Sequence, residues 1–202
     1  MPVLPDVPIA QHPQEFAQLL GWIDELPEVG VLVEIGSRFG GSLHALATHV
    51  GPPLTAVAID LPEGPWGVQG SADSLQRVGR GLREQGIDAH VVLGNSRDPA
   101  VFDAVRSLLA GRAIDVLFVD GDHRLAGVMG DLDRYVPLVR PGGLVAMHDV
   151  GWPYGCDALS HAPFDADTLQ TLADVNAAFQ SLARGRRSAT VTYKWGIGAV
   201  WI

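Results

Sequence analysis

The chain has 202 residues, 47% of them hydrophobic and 18% charged, the balance of a globular protein with a sizeable core. Its formal net charge of −9 excludes nucleic acid and anionic membrane surfaces as natural partners. A single cysteine (Cys156), no apolar run of membrane-spanning length and an opening (MPVLPDVPIAQHP) without signal-peptide character predict a disulfide-free cytoplasmic protein with no membrane segment.

Residues 1–13 carry four prolines and no period, and read as an arm. Phe16, Leu19, Leu20, Ile23 and Leu26 then fall at helical spacing, closed by Pro27. Val31–Ile35 is a strand that breaks at Gly36 and Gly40-Gly41. A helix follows to about Val50, stopped by Gly51-Pro52-Pro53. Such a strand–glycine–helix turn lets the backbone take positive φ and lets a ligand approach closely, with free N–H groups facing the crevice. Leu54–Ile59 is a second buried strand, closed by Asp60, and Leu61–Gly70 a loop with Trp66 at its middle.

Leu75, Val78 and Leu82 mark the next helix, and Ala89–Leu93 a third strand ending at Gly94-Asn95-Ser96. Asp98 is the expected N-cap of a helix with Pro99 in its first turn. Ile114–Val119 is the fourth strand, ending at Asp120-Gly121-Asp122-His123. The helix behind it shows Leu125, Val128, Leu132, Val136 and Val139 on one face and stops at Pro141-Gly142-Gly143. Leu144–Met147 is the fifth strand, ending at His148-Asp149, and an irregular loop to Asp167 carries Trp152, Tyr154 and Cys156. Leu169, Leu172, Val175, Phe179 and Leu182 form the last helix, after which the basic run Arg184–Arg187 reads as a solvated helix end. Ser188–Tyr193 and Ile197–Ile202 close the chain as an antiparallel hairpin. Strands alternating with helices predict one α/β domain over 1–202: a mostly parallel sheet, helices on both faces and an antiparallel last strand.

The chemistry lies at the strand ends, where ligands of such sheets bind. Glu34 and Gly36, Asp60, Asn95-Ser96, Asp120 and His148-Asp149 close successive strands, so polar and mainly acidic groups converge on one edge of an apolar sheet. Buried carboxylates without partners are costly, so the set predicts a cofactor, substrate or metal. Asp60 stands where nucleotide-binding sheets place the acceptor for ribose hydroxyls. Arg38 occupies the place of the second glycine of the dinucleotide fingerprint, which counts against NAD and suits a nucleoside cofactor without phosphates.

The motifs E-I-G-S-R-F-G-G, F-V-D-G-D-H and R-P-G-G-L-V-A-M-H-D-V, with Asp60 between them, resemble class I S-adenosylmethionine (SAM)-dependent methyltransferases. The likeness is greatest to the small O-methyltransferase-like group with V-D-G-D-H after strand four and H-D after strand five, and it covers about residues 30–150. It implies a seven-stranded Rossmann-like sheet. It further implies a cofactor site in which Glu34, Gly36 and Ser37 lie near the methionine part, Asp60 on the ribose and Asn95 and Ser96 near the adenine, with Gly40 and Asp120 also cofactor-binding. Relatives that use a divalent metal carry an acidic residue after strand four and a pair after strand five, here Asp120 with His148 and Asp149. Magnesium prefers oxygen ligands, so a histidine in the set leaves room for Mn²⁺ beside Mg²⁺.

Two histidines are candidate general bases for an acceptor hydroxyl, His123 first and His148 second, because imidazole titrates near neutral pH. No chemistry is expected of His44, His49, His90 or His161. Trp66, Trp152 and Tyr154 read either as loop packing or as a platform for a sugar or aromatic substrate. The expected activity is methyl transfer to a hydroxyl of a small molecule, a sugar or secondary metabolite. A non-catalytic SAM-binding scaffold and an NAD-dependent oxidoreductase are the alternatives. The sequence leaves the acceptor, the metal and the oligomeric state, a homo-oligomer included, open.

Overall fold

A computed structural model describes residues 7–62, 70–151 and 166–202. Its elements follow in the order α1 (Pro13–Ile23), β1 (Val31–Ile35), α2 (Gly41–Val50), β2 (Thr55–Asp60), α3 (Ser71–Glu84), β3 (Asp88–Leu93), α4 (Pro99–Leu109), β4 (Ile114–Val119), α5 (Leu125–Tyr135), β5 (Val139–His148), α6 (Ala166–Ala183), β6 (Ser188–Val191) and β7 (Ile197–Trp201). The strands form one sheet in the order β3-β2-β1-β4-β5-β7-β6, parallel through β5 and antiparallel at β7 and β6.

The central strands read as unbroken apolar runs because both faces of the sheet are covered. Leu32, Ala56, Ala58, Phe118 and Leu144 face one core layer with Leu19, Leu43, Leu46, Leu75 and Leu82 of α1, α2 and α3. Val33, Ile35, Val57, Leu117 and Val145 alternate onto the other, against Val105, Val128, Leu132 and Phe179 of α4, α5 and α6. Helix α1 is tied down at its first turn. Glu15, fully buried, accepts backbone N–H bonds from Tyr193, Lys194 and Gly196 through one oxygen (2.6, 2.6 and 3.0 Å), and Trp22 meets Trp201 edge-on.

Register builds the site. Ile35 pairs with Ile59 on one side and Val119 on the other, and Val119 pairs with Met147. Gly36, Asp60, Asp120 and His148 therefore leave the sheet at one level. They flank the point between β1 and β4 where the chain reverses its direction of winding, which opens a crevice there.

Three expectations are corrected. The α5 helix ends at Tyr135, not at Pro141, because Pro137 lacks the N–H that a continuing helix needs; a 3₁₀ turn, Val136–Leu138, follows. The fifth strand then begins at Val139 and carries Pro141-Gly142-Gly143 within it as an irregularity, since Val139 pairs with Ile114 but Leu144 with Val116. Asp98 does precede α4 with an extended backbone, but its side chain makes no capping bond. Among the described residues no helix is long and apolar enough to cross a membrane.

Candidate active site

The glycine turn after β1 serves the protein's own packing. Gly36 has φ of +89°, and a Cβ there would overlap the Asp120 carbonyl oxygen. Gly40, also at positive φ, backs onto Leu75 and Val78, and a Cβ on Gly41 would overlap the Pro8 carbonyl. The space that a Cβ would fill at these three positions is taken by the end of β4, by α3 and by the N-terminal arm. The side chains at the strand ends carry the unusual electrostatics of the site.

Glu34 is the most unusual of these. It is fully buried on β1, on the face that packs against α2. Burial raises its pKa from 4.5 to about 7; Ser42 and Ser37 beside it oppose the rise, and the charges of Asp120 and Asp60 add to it. Neither carboxyl oxygen, nor the Ser37 Oγ, has a partner in hydrogen-bond geometry among the described residues. At the end of β2, the Asp60 carboxylate accepts the backbone N–H of Arg38 and that of Leu61 (2.7 Å), which fixes its plane. Burial pushes its pKa up against those two bonds.

Across the crevice four titratable groups interlock. His123 Nε2 lies 3.5 Å from Asp120 Oδ1 and 3.2 Å from Asp149 Oδ2. His148 Nδ1 lies 3.3 Å from the same Asp120 oxygen and 3.0 Å from the same Asp149 oxygen. Asp149 holds φ of +63°, a strained backbone for a non-glycine residue at a site of this kind. Burial favours protonation of Asp120, but the two histidines overcome it and hold its pKa well below the usual carboxylate range. Burial likewise disfavours charge on His148 and on His123. For each histidine, Asp120 and Asp149 outweigh that cost and raise the pKa, for His148 well above the ordinary value.

The two imidazoles differ in access. The His123 side chain is 27% exposed and that of His148 6%, and His148 Nε2 is buried with no partner among the described residues. One ligand atom each from Asp120, His123 and Asp149 lie within 4.8 Å of one another, so these three converge as a cation site would require. His148 stands behind the two carboxylates that it braces. Of the set expected from sequence (Asp120, His148, Asp149), the two carboxylates converge with the more open His123, while His148 pairs with both through Nδ1.

Comparison with known proteins bears on the family and the fold. The profile of a family described as a methyltransferase domain matches residues 33–150, from the middle of β1 to just beyond Asp149. The chain belongs to this methyltransferase-domain family. An uncharacterised protein of Acanthamoeba polyphaga mimivirus is 31% identical over 117 residues, which is 58% of this chain and 50% of that one; the match thus spans about half the length of the curated relative. Many solved structures share the fold, two of them as follows. A candidate caffeoyl-CoA O-methyltransferase from Staphylococcus aureus superposes with a TM-score of 0.70 at 16% identity, covering 97% of this chain and 86% of that one. The O-methyltransferase TomG from Streptomyces achromogenes, involved in tomaymycin synthesis and solved with SAM, gives 0.62 at 21% identity, with 98% and 83% covered.

In this methyltransferase domain the residues after β3 are engaged within the protein. Asn95 Oδ1 accepts from the Arg97 backbone N–H (3.0 Å), and Ser96 Oγ donates to Asp131 Oδ1 (2.5 Å). The Tyr135 hydroxyl donates to the Ser96 carbonyl (2.9 Å). Asp131 was not singled out from sequence. Burial raises its pKa to about 6, and its Oδ2 has no partner among the described residues. A signal existed: Val128, Asp131, Leu132 and Tyr135 share one helical face, so a carboxylate stands on a buried stripe.

Gln11 was missed as well, and nothing in the proline-rich arm marks it. It is 6% exposed, and its Nε2 donates to Asp120 Oδ2 (2.5 Å). His49 and His90, given no chemistry, pair with Asp24 and Asp88 respectively. Trp66, Trp152, Tyr154, Cys156 and His161 lie outside the described residues.

Proposed function

We propose that this methyltransferase domain is a SAM-dependent O-methyltransferase acting on a hydroxyl of a small molecule, with a divalent cation at Asp120, His123 and Asp149. The observation that carries the proposal is the meeting of two carboxylates and two imidazoles near a buried carboxylate, Glu34, whose oxygens have no hydrogen-bond partner among the described residues. Glu34 fits the cationic methionine end of SAM: a positive charge or N–H donor beside it supplies the partner that its oxygens lack. Asp60, its plane fixed by two backbone N–H groups, retains lone pairs for ribose hydroxyls. One imidazole nitrogen with two carboxylate oxygens is a borderline donor set, better suited to Mn²⁺ than to Mg²⁺.

Bound there, SAM supplies an electrophilic methyl group and the cation a Lewis acid that lowers the acceptor's pKa. The transfer would break the bond from sulfur to the methyl carbon, sulfur keeping the pair, and form one to the acceptor oxygen, whose proton would pass to water at the open side of the crevice. The chain's part is alignment and charge: positioning dominates such an in-line displacement. Asp120 and Asp149 hold the region negative, and His148 braces both through one nitrogen. A second reading, favoured by the partial exposure of His123, makes that imidazole the general base with no cation.

The test monitors S-adenosylhomocysteine (SAH) released from SAM with a panel of sugar and phenolic acceptors, alongside equilibrium Mn²⁺ binding. Chelation is expected to stop turnover and Mn²⁺ to restore it. His123→Ala and Asp149→Ala are expected to lose Mn²⁺ binding while still binding SAH. Full turnover in excess chelator, with His123→Ala slower by about 10²–10⁴, would give His123 the base role and remove the metal.

A further inference from the structure

The N-terminal arm, outside the family match at residues 33–150, reaches Asp120 in the site. Its Pro8 carbonyl sits against Gly41, in space that only a glycine at the start of α2 leaves open. Just beyond it, His12 stacks on Tyr193 at 5.6 Å, and Glu15 is bonded to the backbone of the β6–β7 turn. Gln11 is thus clamped from both sides. It is more than nine-tenths buried, and its two amide atoms are used differently. Nε2 donates to Asp120 Oδ2 at 2.5 Å, while Oε1 is buried with no partner among the described residues.

The geometry points to Gln11 as a positioning residue of the cation centre, an inference that rests on the metal reading proposed above. Asp120 has two oxygens with divided duties. Oδ2 takes the Gln11 amide, so Oδ1 is the one presented to His123 and His148. Without that amide the carboxylate is free to rotate about its terminal bond and lose its alignment with His123 and Asp149. Hydrogen-bond partners behind a metal ligand act in this way, and removing one costs about 10–100-fold in metal affinity. Oε1 has no donor among the described residues, and a water or acceptor hydroxyl held at the centre would satisfy it.

The experiment compares Mn²⁺ affinity, SAH affinity and melting temperature for the full chain, Gln11→Leu and Gln11→Met, all without substrate. Both substitutions keep the buried volume and delete the donor. Mn²⁺ affinity is expected to fall about 10–100-fold in both, with SAH affinity unchanged and the fold intact. Two variants guard against one failing to fold. Unchanged Mn²⁺ affinity, with only the melting temperature lowered, would make Gln11 a packing residue and overturn the inference. Absence of Mn²⁺ binding by the unsubstituted chain would instead overturn the metal centre, and the role of Gln11 with it.

Discussion

Glu34 shows how a single residue sets a pH response. Burial lifts its pKa from 4.5 to about 7, so the folded chain holds this proton more tightly than the unfolded one. The stability it contributes is full below about pH 4.5, is lost as pH rises toward 7, and is level above that. Asp131, raised to about 6, acts with the same sign in a lower window, and the raised histidines act likewise above 6.5. Thermal melts of Glu34→Gln across this range should therefore show a shallower fall between pH 6 and 7 than the parent chain. A curve parallel to the parent's would mean that Glu34 is ionised in the folded state. At this scale the sequence was partly legible. Glu34, Asp60, Asp120, His148 and Asp149 announce themselves as polar ends of apolar strands. Gln11 does not, because its amide meets Asp120, 109 positions away, and a contact at that separation leaves no local pattern.

At the scale of elements, glycine placement links the arm to the sheet. Gly41 opens α2, where alanine is a better helix former than glycine by about 1 kcal/mol. Its absent Cβ nevertheless makes room for the Pro8 backbone. Gly41→Ala should therefore keep α2 and displace the arm, seen as new cleavage ahead of Pro13 in limited proteolysis with unchanged helical circular dichroism. Continued protection of that segment would show that the arm is held by α1 alone. Strand and helix placement follows from the apolar period almost throughout; β1 and β4 match their expected limits residue for residue. The error at α5 has a physical cause. Val136 and Val139 continue the helical spacing from Leu132, but Pro137 breaks the hydrogen-bond ladder, so the same residues lead instead into β5.

At the scale of the whole molecule, seven strands and the antiparallel ending were legible because alternating βα units admit few arrangements. The strand order, which puts β1 beside β4 and so brings Asp60, Glu34 and Asp120 to one crevice, is a property of long-range pairing that no single stretch encodes. The fold and the family leave one central claim to be tested: that this crevice takes a nucleoside cofactor with a cationic methionine end and no pyrophosphate. Calorimetric titration of the full chain with SAH and, separately, with NADH tests it most directly. The account predicts saturable one-to-one binding of SAH, weakened by Asp60→Ala, and no binding of NADH. Binding of NADH with none of SAH would contradict it.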